Sequence, residues 1–145
     1  MKVSELPVIV EQSFEVTVDK VWKAITELKQ MTQWYFENIP EFKTEVGFST
    51  RFNVNAPSRD FLHIWTITEV IQNRRITYNW NYEGLDGDAI VSFELFQKKN
   101  NTNLVLSMEI IEDFDDSIPE FTRESCLTGW DYFIKERLTS YLNND

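Results

Sequence analysis

The last stretch of the chain, from Ser117 to Leu142, leaves the fewest options open. Leu127, Trp130, Phe133, Ile134, Leu138, Tyr141 and Leu142 recur at helical spacing, with Phe121 ahead of them. Arg123, Glu124, Asp131, Lys135, Glu136 and Arg137 cover much of the remaining surface. The pattern predicts a single long helix of roughly six turns with one wide apolar stripe. Ser117-Ile118-Pro119-Glu120 has capping-box spacing with proline in the first turn, which places the start of that helix. A helix of this kind is marginal alone in water, so the stripe demands a large apolar surface to lie on.

The chain between Phe42 and Ile111 supplies that surface as a run of strands. Before it, Val8, Val10, Phe14, Val16 and Val18 share one parity and predict a half-buried strand. Thr17 then caps a short helix with Val21, Trp22, Ile25 and Leu28 on one face, and a second short helix is expected from Met31 to Phe36. From Phe42 the period becomes two. Phe42, Val46 and Phe48 are expected to open a strand, followed by Phe52, Val54 and Ala56 after a turn or bulge. Phe61 to Ile71 is apolar on both parities, which predicts a strand covered on both faces at its middle. Ile76, Tyr78, Trp80 and Tyr82 alternate with Arg75, Thr77, Asn79 and Asn81. Two further strands carry Ala89, Val91, Phe93, Leu95 and then Leu104, Leu106, Met108, Ile110, joined by a polar hairpin. Hairpin connections make the sheet antiparallel.

Composition narrows the function classes. A chain of 145 residues buries about two thirds of its unfolded surface without a metal or disulfide staple, and one domain over residues 1–145 is expected. The net charge of −10 repels a phosphate backbone, and Arg74-Arg75 and Lys98-Lys99 are too short to make a basic patch, so no nucleic-acid partner is expected. One cysteine and one histidine leave too few ligands for a disulfide or a zinc site. No leader and no run of about 18 apolar residues is present, so a cytoplasmic location without membrane contact is expected. There is no nucleophile motif, glycine-rich phosphate loop or metal-ligand spacing, and no cofactor is expected.

The order of elements is strand, two short helices, six strands, one long helix: an α+β domain with about seven antiparallel strands curved around a long C-terminal helix. Phe14-Glu15-Val16 followed by Val21-Trp22-Lys23-Ala24-Ile25, the strand Arg75-Ile76-Thr77-Tyr78-Asn79-Trp80, and Gly129-Trp130 followed by Leu138 and Leu142 carry a resemblance that spans nearly the whole chain. They resemble the helix-grip fold of the START-like, birch-pollen-allergen-like (SRPBCC) superfamily, and within it the family named for the activator of the 90-kDa heat-shock chaperone's ATPase. The resemblance implies a cavity between sheet and helix for a hydrophobic or aromatic small molecule, such as a lipid or flavonoid. It implies two alternatives as well: a co-chaperone-like domain whose partner is that chaperone, or a cyclase- or lyase-type enzyme. A monomer or weak homodimer is expected.

Trp34, Trp65, Tyr78, Trp80, Tyr82, Phe93 and Trp130 are the candidate lining residues, because large rings either fill a core or line a pocket. His63 shares parity with Phe61 and Trp65, and is either a pocket acid, base or donor, or a structural side chain. Cys126 has no basic neighbour in sequence to activate it, and an inert thiol is expected. Gly129 costs helix propensity, either to admit a ligand beside Trp130 or to let helix and sheet approach closely; close approach is the expectation.

Overall fold

The computed structural model of the protein describes residues 1–143. The elements are β1 (Val8–Phe14), α1 (Val18–Thr26), α2 (Leu28–Trp34), β2 (Ser49–Asn55), β3 (Asp60–Ile71), β4 (Arg75–Tyr82), β5 (Asp88–Lys98), β6 (Asn101–Glu112), a 3₁₀ turn (Pro119–Phe121), and a C-terminal helix. That helix runs as α3 (Arg123–Asp131), a π segment (Tyr132–Leu138) and α4 (Thr139–Asn143). Six strands form one antiparallel sheet in the order β1-β6-β5-β4-β3-β2, so the two short helices carry the chain from one edge to the other before it meanders back. The fold is the α+β arrangement expected, a curved open sheet with a long C-terminal helix, with one strand fewer.

The missing strand is the one expected at Phe42 to Phe48. Residues 41–48 are irregular, and among the described residues their backbone hydrogen bonds to β3 are Gly47 N–H to Ile67 O (2.8 Å) and Ile67 N–H to Phe48 O (2.9 Å). Phe42 and Phe48 alternate because both pack on the core, and Val46 is exposed. The second helix runs from Leu28 to Trp34, three residues earlier at its start than Met31 and two earlier at its end than Phe36. In β3 the two apolar parities have separate causes. Phe61, His63, Trp65 and Ile67 face the core, a bulge between Ile67 and Glu69 returns Val70 to the same side, and Leu62 and Ile64 are half-buried on the outer face, which no helix covers.

Thr17 caps α1, its Oγ1 accepting from Lys20 N–H at 3.4 Å. The C-terminal helix starts later than expected. Ser117 instead forms a turn on Asp115 Oδ1, and Thr122 is the cap, its Oγ1 accepting from Ser125 N–H at 3.2 Å. Trp130, Ile134, Leu138 and Leu142 make one buried line at steps of four. In an α-helix a four-residue step overshoots a turn by about 40°, so three such steps drift about 120° around the cylinder. The i→i+5 ladder of the π segment turns less per residue and takes that drift back. Leu127, one residue beyond the line that Cys126 continues, is 40% exposed.

The acidic stretch after β6 also anchors the N-terminal residues. Met1 N donates to Phe121 O at 2.9 Å, Phe114 N–H donates to Met1 O at 2.9 Å, and Val3 N–H donates to Asp113 Oδ1 at 2.7 Å. Phe114 sits against Gly87, whose φ of +116° takes it into a region that side chains rarely adopt.

Candidate functional site

The core between the concave face of the sheet and the C-terminal helix is not filled. A cavity of about 180 Å³ lies there. Its floor is Phe61 and His63 of β3, Trp80 and Tyr82 of β4, and Met108 of β6. Its roof is Ser125, Cys126, Gly129 and Trp130 of α3 with Phe133 of the π segment. Phe36 closes one end, and Met1, Ala56, Phe114, Glu120 and Phe121 surround the other. There Ser58, in the β2–β3 loop, donates its Oγ to Glu120 Oε1 at 2.6 Å and ties that loop to the 3₁₀ turn.

Alternation along each strand explains the floor, because inward positions of β3 and β4 fall side by side: His63 pairs with Tyr82, and Trp65 with Trp80. Gly129 explains the roof. A Cβ built on Gly129 meets nothing within 4 Å, so the expected close approach of helix to sheet does not occur, and this residue faces open space. A glycine in a helix interior costs about 1 kcal/mol relative to alanine. No packing contact offsets that cost here.

Besides Ser125 in the roof and Glu120 at the mouth, two side chains of the floor bring hydrogen-bonding capacity to the lining. His63 is 5% exposed, between the rings of Phe52 (5.0 Å) and Tyr82 (4.8 Å). Its Nδ1 lies 3.0 Å from Phe61 O, and since a carbonyl only accepts, the proton is on Nδ1. Nε2 is then a lone-pair acceptor with no partner among the described residues. Burial pushes the imidazole down to about 4, against the opposing pull of the Phe61 carbonyl, so it is neutral at pH 7. Tyr82 accepts from Trp80 Nε1–H at 2.7 Å, and its own O–H has no acceptor among the described residues. Burial raises that phenol well above its usual range, more than the Trp80 bond lowers it. His63 and Tyr82 thus offer one acceptor and one donor, both uncharged, at the floor of the cavity. Cys126 Sγ–H and Trp130 Nε1–H both approach Met108 Sδ, at 3.3 and 3.4 Å. Burial pushes the Cys126 thiol up to about 11, against the opposing pull of Arg123, a basic neighbour one turn earlier in the chain.

Of the eight side chains singled out from the sequence, His63, Trp80, Tyr82 and Trp130 line this cavity. The other four do not. Trp34 is fully buried, stacks on Tyr35 at 4.6 Å and donates Nε1–H to Ala24 O at 2.7 Å. Tyr78 is buried with its hydroxyl 3.0 Å from that of Tyr35, and Phe93 packs 6.1 Å from its ring. Trp65 is buried, and its Nε1–H has no partner among the described residues, nor does Oγ1 of Thr50 across the β2–β3 ladder. The lining residues not foreseen are mainly Phe36, Met108, Phe114, Phe121, Cys126 and Phe133. Phe121 and Phe133 belong to the terminal apolar stripe and Met108 to the inner face of β6, so their faces were readable; that a gap lies between those faces was not.

Among the described residues no group of three or more His, Cys, Asp or Glu is placed to hold a metal ion, and no helix is long and apolar enough to cross a membrane.

No curated protein matches the chain significantly in sequence. Solved structures do match in fold. CV1439 of Chromobacterium violaceum is 20% identical over 96% of this chain and 98% of its own, with a TM-score of 0.79. The solution structure of the Aha1 dimer of Colwellia psychrerythraea is 18% identical over 95% of this chain and 96% of its own, with a TM-score of 0.74. CalU16 of Micromonospora echinospora is 21% identical over 95% and 82%, with a TM-score of 0.64. At such identities the likeness is one of fold. A sequence profile carries the family assignment: the one described as Activator of Hsp90 ATPase homolog 1-like protein matches residues 15–143. Covering all of the secondary structure from the end of β1 onward, it shows that the chain belongs to the family of activator of Hsp90 ATPase homolog 1-like proteins.

Proposed function

We propose that this protein binds a small aromatic molecule with one polar substituent between the sheet and the C-terminal helix. The observation that carries the reading is Gly129, a helix-interior glycine that touches nothing and leaves the roof of the cavity open. The cavity, about 180 Å³, exceeds the roughly 150 Å³ in which an engineered protein cavity takes up benzene. It falls short of the roughly 300 Å³ at which pockets for drug-sized molecules begin. One ring with a few further atoms fits; a lipid chain or a flavonoid exceeds it. A phenolic or similar group satisfies His63 Nε2 and the Tyr82 O–H together, whereas a charged group placed against these two would be desolvated with no counter-ion beside it on the floor.

Thermal unfolding with p-cresol tests this. At a hundred times its dissociation constant a ligand adds about 2.7 kcal/mol, a rise in Tm of several degrees for a domain of this size. Gly129→Leu fills the cavity from the roof and should fold while abolishing the rise. No rise in the parent protein, or an equal rise in Gly129→Leu, contradicts the reading.

A second reading, a cyclase- or lyase-type enzyme, is favoured by one observation: His63 and Tyr82 meet in the same cavity, rings 4.8 Å apart. Turnover of a bound aromatic lost in both His63→Gln and Tyr82→Phe, with binding retained, would establish it over the first. A chaperone partner, implied by the family's name, would be met outside the cavity. Pull-down of the 90-kDa chaperone unchanged by Gly129→Leu is the result that reading requires.

A further inference from the structure

On the other side of Phe36 and Phe133 lies a second concavity, a groove of about 460 Å³ between the segment that follows α2, the edge strand β2 and the π segment. These two phenyl rings line both spaces. They meet edge to face with centroids 4.9 Å apart, so the partition is one ring pair thick. Both are half-buried, while Tyr35, Trp80 and Trp130 around them are 4–6% exposed. Each phenyl therefore keeps one side toward solvent. The groove wall is built by the irregular part of the helix: Tyr132, Phe133 and Arg137 all belong to the π segment, a feature that recurs where helices carry function.

The groove is more polar than the cavity. Arg137 uses Nη2 on Gln33 O (2.8 Å) and Nη1 on Tyr132 Oη (3.3 Å), which leaves further N–H donors of its five free. Asn38 donates Nδ2–H to Asn53 O at 2.6 Å and keeps its amide oxygen. Glu37 lines the same groove, and together with the net charge of −10 it disfavours an anion.

We propose that groove and cavity are two halves of one binding site, with Phe36 and Phe133 as the door between them. Resting on the binding reading above, this assigns the ligand class as an aryl-alkyl molecule. Its ring occupies the cavity, and its short chain ends in a neutral hydrogen-bonding group, an amide above all, between Arg137 and Asn38.

The test compares p-cresol with 4-(4-hydroxyphenyl)butanamide by stopped-flow tryptophan fluorescence. The longer probe should bind more tightly than p-cresol. Arg137→Gln should weaken it about tenfold, the worth of one hydrogen bond to a charged donor, and leave p-cresol unchanged. Phe133→Ala should speed its association about three- to tenfold, the factor that losing one edge-to-face ring contact contributes to opening. Phe36→Leu, a milder change, should act in the same direction even if Phe133→Ala folds poorly. Unchanged rates in both ring variants, with Ser58→Ala at the opposite mouth speeding entry instead, overturn the door. Equal affinity for the two probes in the parent protein overturns the groove half alone. Failure of p-cresol itself to bind overturns the binding reading and the proposal with it.

Discussion

His63 and Gly129 are the residues at which this fold departs from what stability alone would select. The imidazole has an ordinary pKa of 6.5 and is pushed down to about 4 inside the protein. Above 6.5 it is neutral in folded and unfolded chains and contributes nothing. Between 6.5 and about 4 the unfolded chain binds the proton and the folded one does not, so stability falls with pH, by about 3 kcal/mol in all, and levels off below. Asp115 and Glu120 are held below their usual range by Ser117 and Ser58 and add losses of their own at lower pH, common to any His63 variant. Urea unfolding from pH 7 to pH 4 should therefore show a shallower loss for His63→Gln than for the parent. At Gly129, alanine should raise stability by about 1 kcal/mol, since its methyl group enters open space and the helix gains propensity. A lower Tm for Gly129→Ala would mean that the backbone there needs glycine for another reason.

Among the elements, the C-terminal helix separates pattern from packing most clearly. Leu127 and Leu138 occupy the same apolar stripe in the sequence, yet Leu127 is 40% exposed and Leu138 is 0% exposed. Leu138→Ala should cost about 2–5 kcal/mol by transfer and cavity formation, and Leu127→Ala less than about 1 kcal/mol. Equal costs would show that the π segment does not set the register of the buried line. The β4–β5 turn offers a second case. A side chain at Gly87 would collide with the Phe114 ring and hold a φ of +116°, so Gly87→Ala should cost about 2–4 kcal/mol. Combining it with Phe114→Ala removes the collision but not the backbone strain. The double variant should be more stable than the sum of the two single losses, measured by a double-mutant cycle.

The molecule as a whole has one buried apolar side to its sheet and one mixed side that faces solvent. Arg75, between Glu69 at 3.2 Å and Glu94 at 2.7 Å, and the paired hydroxyls of Thr77 and Ser92 at 2.9 Å lie on the outer face, where part-exposed ion pairs such as those of Arg75 add about 1 kcal/mol or less. All five tryptophans are on the inner side and 0–7% exposed. Acrylamide should quench native fluorescence little and unfolded fluorescence strongly, and p-cresol should perturb the signal through Trp80 and Trp130, which line the cavity. An emission unaffected by p-cresol in Trp22→Phe, Trp34→Phe, Trp65→Phe protein would place any ligand elsewhere.

Much of the fold was legible in the sequence. The strict alternation of Ile76, Tyr78, Trp80 and Tyr82 and the spacing of Trp130, Leu138 and Leu142 report which face of each element is buried, because a side chain's direction follows from the local backbone period. The same periodicity placed Phe42 and Phe48 in a strand that does not form, since core contact alternates equally well from an irregular segment. Burial of Tyr78, Trp80 and Phe93 on the concave face followed from parity; that of His63 and Trp65 did not, because β3 is apolar on both parities, and neither did the split into rings that border empty space and rings that pack solid. A cavity is a mismatch between surfaces brought together from β3, β4, β6 and α3, which are far apart in the chain, and its volume depends on how closely the helix axis approaches the sheet. Gly129 carried the relevant signal, but a missing Cβ reads alike for close approach and for open space until the opposing wall is in place.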